Sequence, residues 1–227
     1  MQDQTRPTEV LRQGKIDDWT AATTHAFTRE LSDGTLPENK MRWYLQQDYQ
    51  FVDGFVRLLA SAIAHAPTLA DSVPAAQFLA VITGPENTYF LRAMDALGTE
   101  PSTEPAPATR AFQDLMAEAA ASDRYQNMLA VLVVAEWVYL SWASPENPPK
   151  DGLPFWFAEW ITLHAGEGFE SVVEYLRSQL DNVWPTLDAA EQAEVTRLFH
   201  RAVELERDFF DAAYAARTIR GPEWSQL

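Results

Sequence analysis

Apolar residues recur at three- and four-residue spacing along nearly the whole chain, the period that lines one side of an α-helix. No segment alternates convincingly in the two-residue period of a strand. Breakers divide this pattern into elements. "SDGTLPE" (32–38) closes a first helix running from Trp19 to Leu31 and opens a long one through "NKMRWYLQQDYQFVDGFVRLLASAIAHA". "TGPEN" (83–87) sets Pro85 in a first helical turn, where a missing N–H is tolerated. The Pro-rich pieces "PSTEPAPA" (101–108) and "PENPPKDGLP" (145–154) read as loops, and further helices are expected over 109–121, 124–143, 154–181 and 187–217. There is no internal repeat and no linker long enough to separate domains. The pattern therefore predicts an all-α helical bundle, one domain over residues 1–227.

Five of these helical stretches carry one ionisable residue on the side that should face the core. The stripe Tyr44/Leu45, Phe51/Val52, Phe55 includes Asp48, while Asp53 points away. Glu86 shares a side with Tyr89, Phe90 and Ala93, and His164 follows Phe157 and Trp160/Ile161. In "LFHRAVELERDFFDAAY" the apolar pairs leave one inward slot, and Glu206 fills it. The sharpest case is "LVVAEWVYLSWA" (132–143), where Glu136 lies among Leu132, Tyr139 and Ala143 with no basic residue nearby in sequence. Burying an ionised carboxylate costs several kcal/mol even with partial compensation. One such residue is commonly a satisfied core group or borders its stripe. Five imply a shared internal pocket, since inward side chains from facing helices are how a bundle builds a site.

Composition narrows what that pocket can do. The net charge of −16 repels a phosphate backbone, which argues against nucleic-acid binding and hints at a neutral or cationic small ligand. There is no cysteine, so disulfides, thiolate metal sites and thiol catalysis are all excluded; this suits a reducing cytosol. The polar start "MQDQTRPTEVLRQGKIDDW" is unlike a secretory signal, and no run of about 18 apolar residues is present, so a cytoplasmic protein without a membrane segment is expected. A di-metal carboxylate site would need Glu-x-x-His pairs; the chain has none, and only His164 of its four histidines lies on an inward stripe. No metal or other cofactor is expected. Buried carboxyls have raised pKa values and can act as general acid and base near neutrality, and aromatic walls suit a flat heterocycle.

The segment "HAFTRELSDGTLPENKMRWYLQQDYQFVDGF" (25–55), followed in order by "TGPENTYF", "AEWVYLSW", "WITLHAGEGF" and "ELERDFFDAAY", closely resembles the TenA or thiaminase II family. The resemblance implies a heme-oxygenase-like all-α fold without haem, assembly as a homotetramer or homodimer, and action on aminopyrimidines in thiamin metabolism. It implies that Asp48 hydrogen-bonds the pyrimidine, that Phe51 and Phe112 shape its pocket, and that Tyr139 lies one turn beyond the nucleophile. His164 stands where other members carry a tyrosine, and Glu206 matches the C-terminal catalytic glutamate. The family's cysteine nucleophile is replaced by Ala135, with Glu136 beside it, as in the cysteine-less TenA_E branch. That implies hydrolysis of 4-amino-5-aminomethyl-2-methylpyrimidine or its N-formyl derivative in thiamin salvage, with Glu136 and Glu206 catalytic and Glu86 completing their network. A different amine or amide substrate, a non-catalytic pyrimidine binder and a di-metal oxidase of the same fold are the alternatives.

Overall fold

The protein's computed structural model describes residues 6–102 and 104–216. Their regular structure is helical throughout: α1 (Pro7–Gln13), α2 (Ile16–Thr23), α3 (Ala26–Asp33), α4 (Glu38–His65), α5 (Leu69–Val81), a π-turn (Ile82–Glu86), α6 (Asn87–Ala96), α7 (Pro107–Ala121), α8 (Tyr125–Ala143), α9 (Phe155–Leu163), α10 (Gly166–Val183) and α11 (Ala189–Ala215). The expected all-α class holds; α7 begins at Pro107, inside the first Pro-rich stretch, and the second opens on a short 3-10 turn (Ser144–Glu146).

The bundle is organised around α8. Apolar on every side, this helix buries all its residues except Leu140 and Ser141, the behaviour expected of a helix without a polar face. It packs against α11, α10, α4, α7 and α2. By length and composition α8 could cross a bilayer, and it is the only such helix among the described residues; its apolar surface is covered by other helices instead. The long partners α4 and α11 each bury one side. α11 starts on a capping box, in which Asp188 accepts from the Glu191 N–H and the Glu191 side chain accepts from the Asp188 N–H.

Three expected elements differ from the pattern reading. The stretch Trp19–Leu31 is two helices, because Thr24 and His25 leave the helical path and His25 caps α3, its Nδ1 accepting from the Phe27 N–H at 3.0 Å. The expected helix over 154–181 is also two. His164 ends α9, Ala165 is extended, and Gly166 takes φ +81°, a left-handed value that glycine adopts at little cost. Pro85, expected in the first turn of a new helix, instead lies within the π-turn that joins α5 to α6 without a break. The wider turn leaves the proline's missing N–H and ring without an i−4 partner to disrupt. Residue 217, the last of the expected C-terminal helix, lies outside the described residues; α11 ends at Ala215.

Candidate active site

α4, the π-turn, α8 and α9 meet around a cavity of about 360 Å³ of unfilled space, counting its open mouth. Asp48, Phe51, Val52 and Phe55 come from α4, Ile82 and Glu86 from the π-turn, and Ala135, Glu136 and Tyr139 from α8; Trp160 and His164 complete the wall. Phe51, Val52 and Glu86 keep partial exposure while the others are buried, so the mouth opens between α4 and the π-turn.

Glu206 and Phe112, both expected in the pocket, do not form its wall. Glu206 lies just beyond it on α11, 2% exposed, with Oε1 buried and without a hydrogen-bond partner. Asp48 and Glu136 both act on its charge, so it belongs electrostatically to the same group. Phe112 stands behind Phe51, edge-on at 4.9 Å between ring centroids, and braces that ring instead of touching the cavity.

The carboxyls share one electrostatic situation. Burial, opposed by the Tyr44 hydroxyl, raises Asp48 to about 7. Burial raises Glu86 to about 8, with the Asp48 charge adding to the effect. Glu136 and Glu206 are pushed well above the ordinary carboxylate range, first by burial and then by the neighbouring acids. No lysine or arginine lines the cavity. At neutral pH such a group holds protons that exposed acids would have lost.

Neutral aromatic groups fix the geometry. The Tyr44 and Tyr139 hydroxyls hydrogen-bond at 2.7 Å, tying α4 to α8 inside the core. His164 Nδ1 lies 2.9 Å from the Trp160 carbonyl. A carbonyl only accepts, so Nδ1 carries the proton and Nε2 is the acceptor end of the ring. Burial lowers the His164 pKa to about 4, leaving a neutral imidazole. Its ring packs 4.7 Å from Tyr139 and 4.2 Å from Trp160. Tyr44 and Trp160 were not singled out by the sequence pattern, although Tyr44 precedes Asp48 by one turn on the same stripe and Trp160 precedes His164 by one turn. Their indole and phenol read as ordinary core aromatics. Among the described residues no three His, Asp or Glu side chains are grouped to hold a metal ion.

The arrangement is an aromatic-walled cavity whose carboxyls keep protons near neutral pH. A model of the TENA/THI-4/PQQC family matches residues 15–216. The chain is 25% identical over 205 residues to an aminopyrimidine aminohydrolase from Halalkalibacterium halodurans, covering 88% of this chain and 91% of that one. Its fold matches a TenA family transcription regulator from Silicibacter sp. TM1040 with a TM-score of 0.82 at 23% identity, over 93% of this chain and 97% of that one. Heme oxygenase-1 from Synechocystis sp. PCC 6803 shares the architecture more distantly, with a TM-score of 0.50 at 13% identity and 91% of each chain covered.

Proposed function

Because this chain belongs to the TENA/THI-4/PQQC family, we propose that it is a thiamin-salvage hydrolase that cleaves a C–N bond of an aminopyrimidine, with carboxyl groups in place of a thiol. The observation that carries the reading is the meeting of Asp48, Glu86 and Glu136 in one aromatic-walled cavity, backed by Glu206, where the neighbouring small residue is Ala135. The aminohydrolase name of the Halalkalibacterium halodurans relative supports the same substrate class.

In this mechanism Asp48 anchors the ring, since two aligned hydrogen bonds to one carboxyl fix orientation as well as adding energy. Phe51, held by Phe112, closes one side of the ring's slot. Glu136 in the wall and Glu206 behind it handle the protons between them: the carboxylate takes one from water, and that proton passes to the nitrogen as it leaves. His164, neutral and with Nε2 free to accept, positions that water, and Tyr139, tied to Tyr44, fixes the wall beside Glu136. Glu86 at the mouth orients the entering ligand. The displaced group leaves by way of water, and a thiolate intermediate is impossible with alanine at 135.

The test is incubation with thiamin, 4-amino-5-aminomethyl-2-methylpyrimidine and its N-formyl derivative, followed by mass spectrometry. Formation of the hydroxymethylpyrimidine from either of the last two supports the proposal, and thiamin cleavage or inertness towards all three overturns it. A homo-oligomer is part of the reading, favoured by exposed Leu69 and Val73 one turn apart on α5; light scattering giving a monomer mass would remove that part.

A further inference from the structure

The cavity gathers acids without a counter-charge. Asp48 and Tyr44 approach it from α4, Glu86 from the π-turn, Tyr89 from α6, Glu136 and Tyr139 from α8, His164 from the end of α9 and Glu206 from α11. His164 is neutral, its Nδ1 proton committed to a backbone carbonyl. Arg92, on α6 with Tyr89, is half-exposed and paired with Glu159, which offsets its charge. Two observations make this more than an acidic cluster. The carboxyls of Asp48, Glu86 and Glu136 line one cavity with no lysine or arginine in its wall, and Glu206 Oε1, in the layer behind it, is buried without any donor. Glu38 and Asp53 on α4 and Glu191, Glu194 and Glu204 on α11 find arginine or lysine partners; the cavity acids do not.

We propose that the cavity takes its substrate as the protonated primary amine in preference to the neutral N-acyl derivative, and that docking of this cation expels one proton from the carboxyl group set, creating the carboxylate that activates water. The inference rests on the aminopyrimidine reading and adds to it the charge state that reacts. Its physical basis is compensation. Carboxyls held protonated by burial and by one another ionise when an opposite charge arrives within contact distance. Cation in and proton out leave the site's net charge unchanged, which avoids the cost of an uncompensated buried ion. A neutral amide brings no such charge, so the site would have to ionise against its own desolvation.

The chemistry balances without any other reactant. The C–N bond breaks with its electron pair staying on nitrogen, which departs as ammonia because it entered already protonated. The oxygen of water forms the new C–O bond, and the new carboxylate takes the proton that water loses. Ammonia then accepts that proton and leaves as ammonium. One substrate cation and one water give one neutral alcohol and one ammonium ion, and the carboxyl set returns to its starting state after recovering the proton released on binding.

The test is isothermal calorimetry at pH 7 on the whole protein, in two buffers of different ionisation enthalpy, with two ligands that do not turn over. One is the neutral 5-hydroxymethyl pyrimidine; the other is the 5-(2-aminoethyl) homologue, a cation whose nitrogen is one carbon too far from the ring to be displaced. The expected result is release of about one proton with the cation and none with the alcohol, together with binding of the cation at least about tenfold tighter, in line with the effect of an opposite charge at contact distance. Binding of both without proton release, or binding of the cation no tighter than the alcohol, overturns this inference and leaves the aminopyrimidine reading standing. Binding of neither overturns that reading, and this inference with it.

Discussion

Glu204 and Glu206 stand two residues apart on α11 and live in opposite worlds. Glu204 meets Lys15 at 2.5 Å and Arg201 at 3.0 Å, and the hydrogen bond from Lys15 holds its pKa below the usual range. Glu206 faces the interior, has one oxygen with no partner, and is pushed up by burial and by Asp48 and Glu136. The same side chain on the same helix is thus an ordinary surface anion on one side and a proton reservoir on the other. The contrast extends to the whole molecule. Around Lys15, Asp18, Arg201, Glu204 and Arg207 charge is neutralised by charge, whereas in the cavity it is neutralised by protons. What separates the two is the supply of cations, since acids are present in both.

Removing a cavity acid should have the largest effect. Glu206→Gln and Glu136→Gln are each expected to lower turnover of the aminopyrimidine by about 10²–10⁴-fold, the range of general acid–base contributions. Thermal melts should show stability unchanged or raised, because the amide removes an ionisable group from a dry site. Full activity in both variants would erase the functional half of the contrast. Next is Asp48→Asn, which loses a charge-assisted hydrogen bond to the ring worth about 1.5–3 kcal/mol. Ligand binding should weaken roughly tenfold to a hundredfold, read by calorimetry with the hydroxymethyl product, and unchanged affinity would remove Asp48 from the anchor role.

The pH dependence of stability comes third. Asp48 at about 7 and Glu86 at about 8 lie above their unfolded values of 3.8 and 4.5. Between those limits the folded chain keeps protons that the unfolded chain has lost, so stability falls as pH rises through that window. His164, lowered from 6.5 to about 4, works the other way, its contribution being lost as pH falls below 6.5. Melting temperature should therefore climb as pH is lowered from 8.5 to 6.5, where the carboxyls act alone, and climb less in Asp48→Asn. A flat or falling profile over that interval would contradict the protonated cavity. The smallest effect belongs to the outer face: Glu204→Gln should cost no more than about 1 kcal/mol in denaturant unfolding, as a partly exposed pair does, with turnover intact. A larger loss would make the surface network more than screening.

Periodicity made much of this legible. Asp48, Glu136, Glu206 and His164 were each placed inward by their apolar neighbours, and all four are buried; Glu86, placed inward by the same rule, reaches the cavity from its rim. The stripe reading worked because core-facing positions on a long helix are set by the 3.6-residue period whatever the tertiary partner. It was less informative about distance from the cavity. Glu206 points inward as expected but ends one layer back, because a stripe gives direction and not depth; Phe112, expected in the pocket from the resemblance alone, stands behind Phe51. The breaks at His25 and at His164–Gly166 were missed for another reason: both lie within uninterrupted apolar periodicity, and Gly166 alone was too weak a signal to divide it. The π-turn escaped because Pro85 is equally at home in a first helical turn, and only backbone geometry separates the two.

The all-round apolar surface of α8 also bears on how the protein is made. This helix is complete once residue 143 has left the ribosome, yet two of its main covers, α10 and α11, are finished only at residues 183 and 215. From residue 143 to residue 183 the greasiest segment of the chain waits without two of its walls, and from there to residue 215 without one, in the condition that invites clumping between nascent chains. Slow translation beyond residue 143, or truncation before α11, should therefore send this protein to chaperones or into aggregates, even though every residue of the cavity wall has by then been made or is close to it.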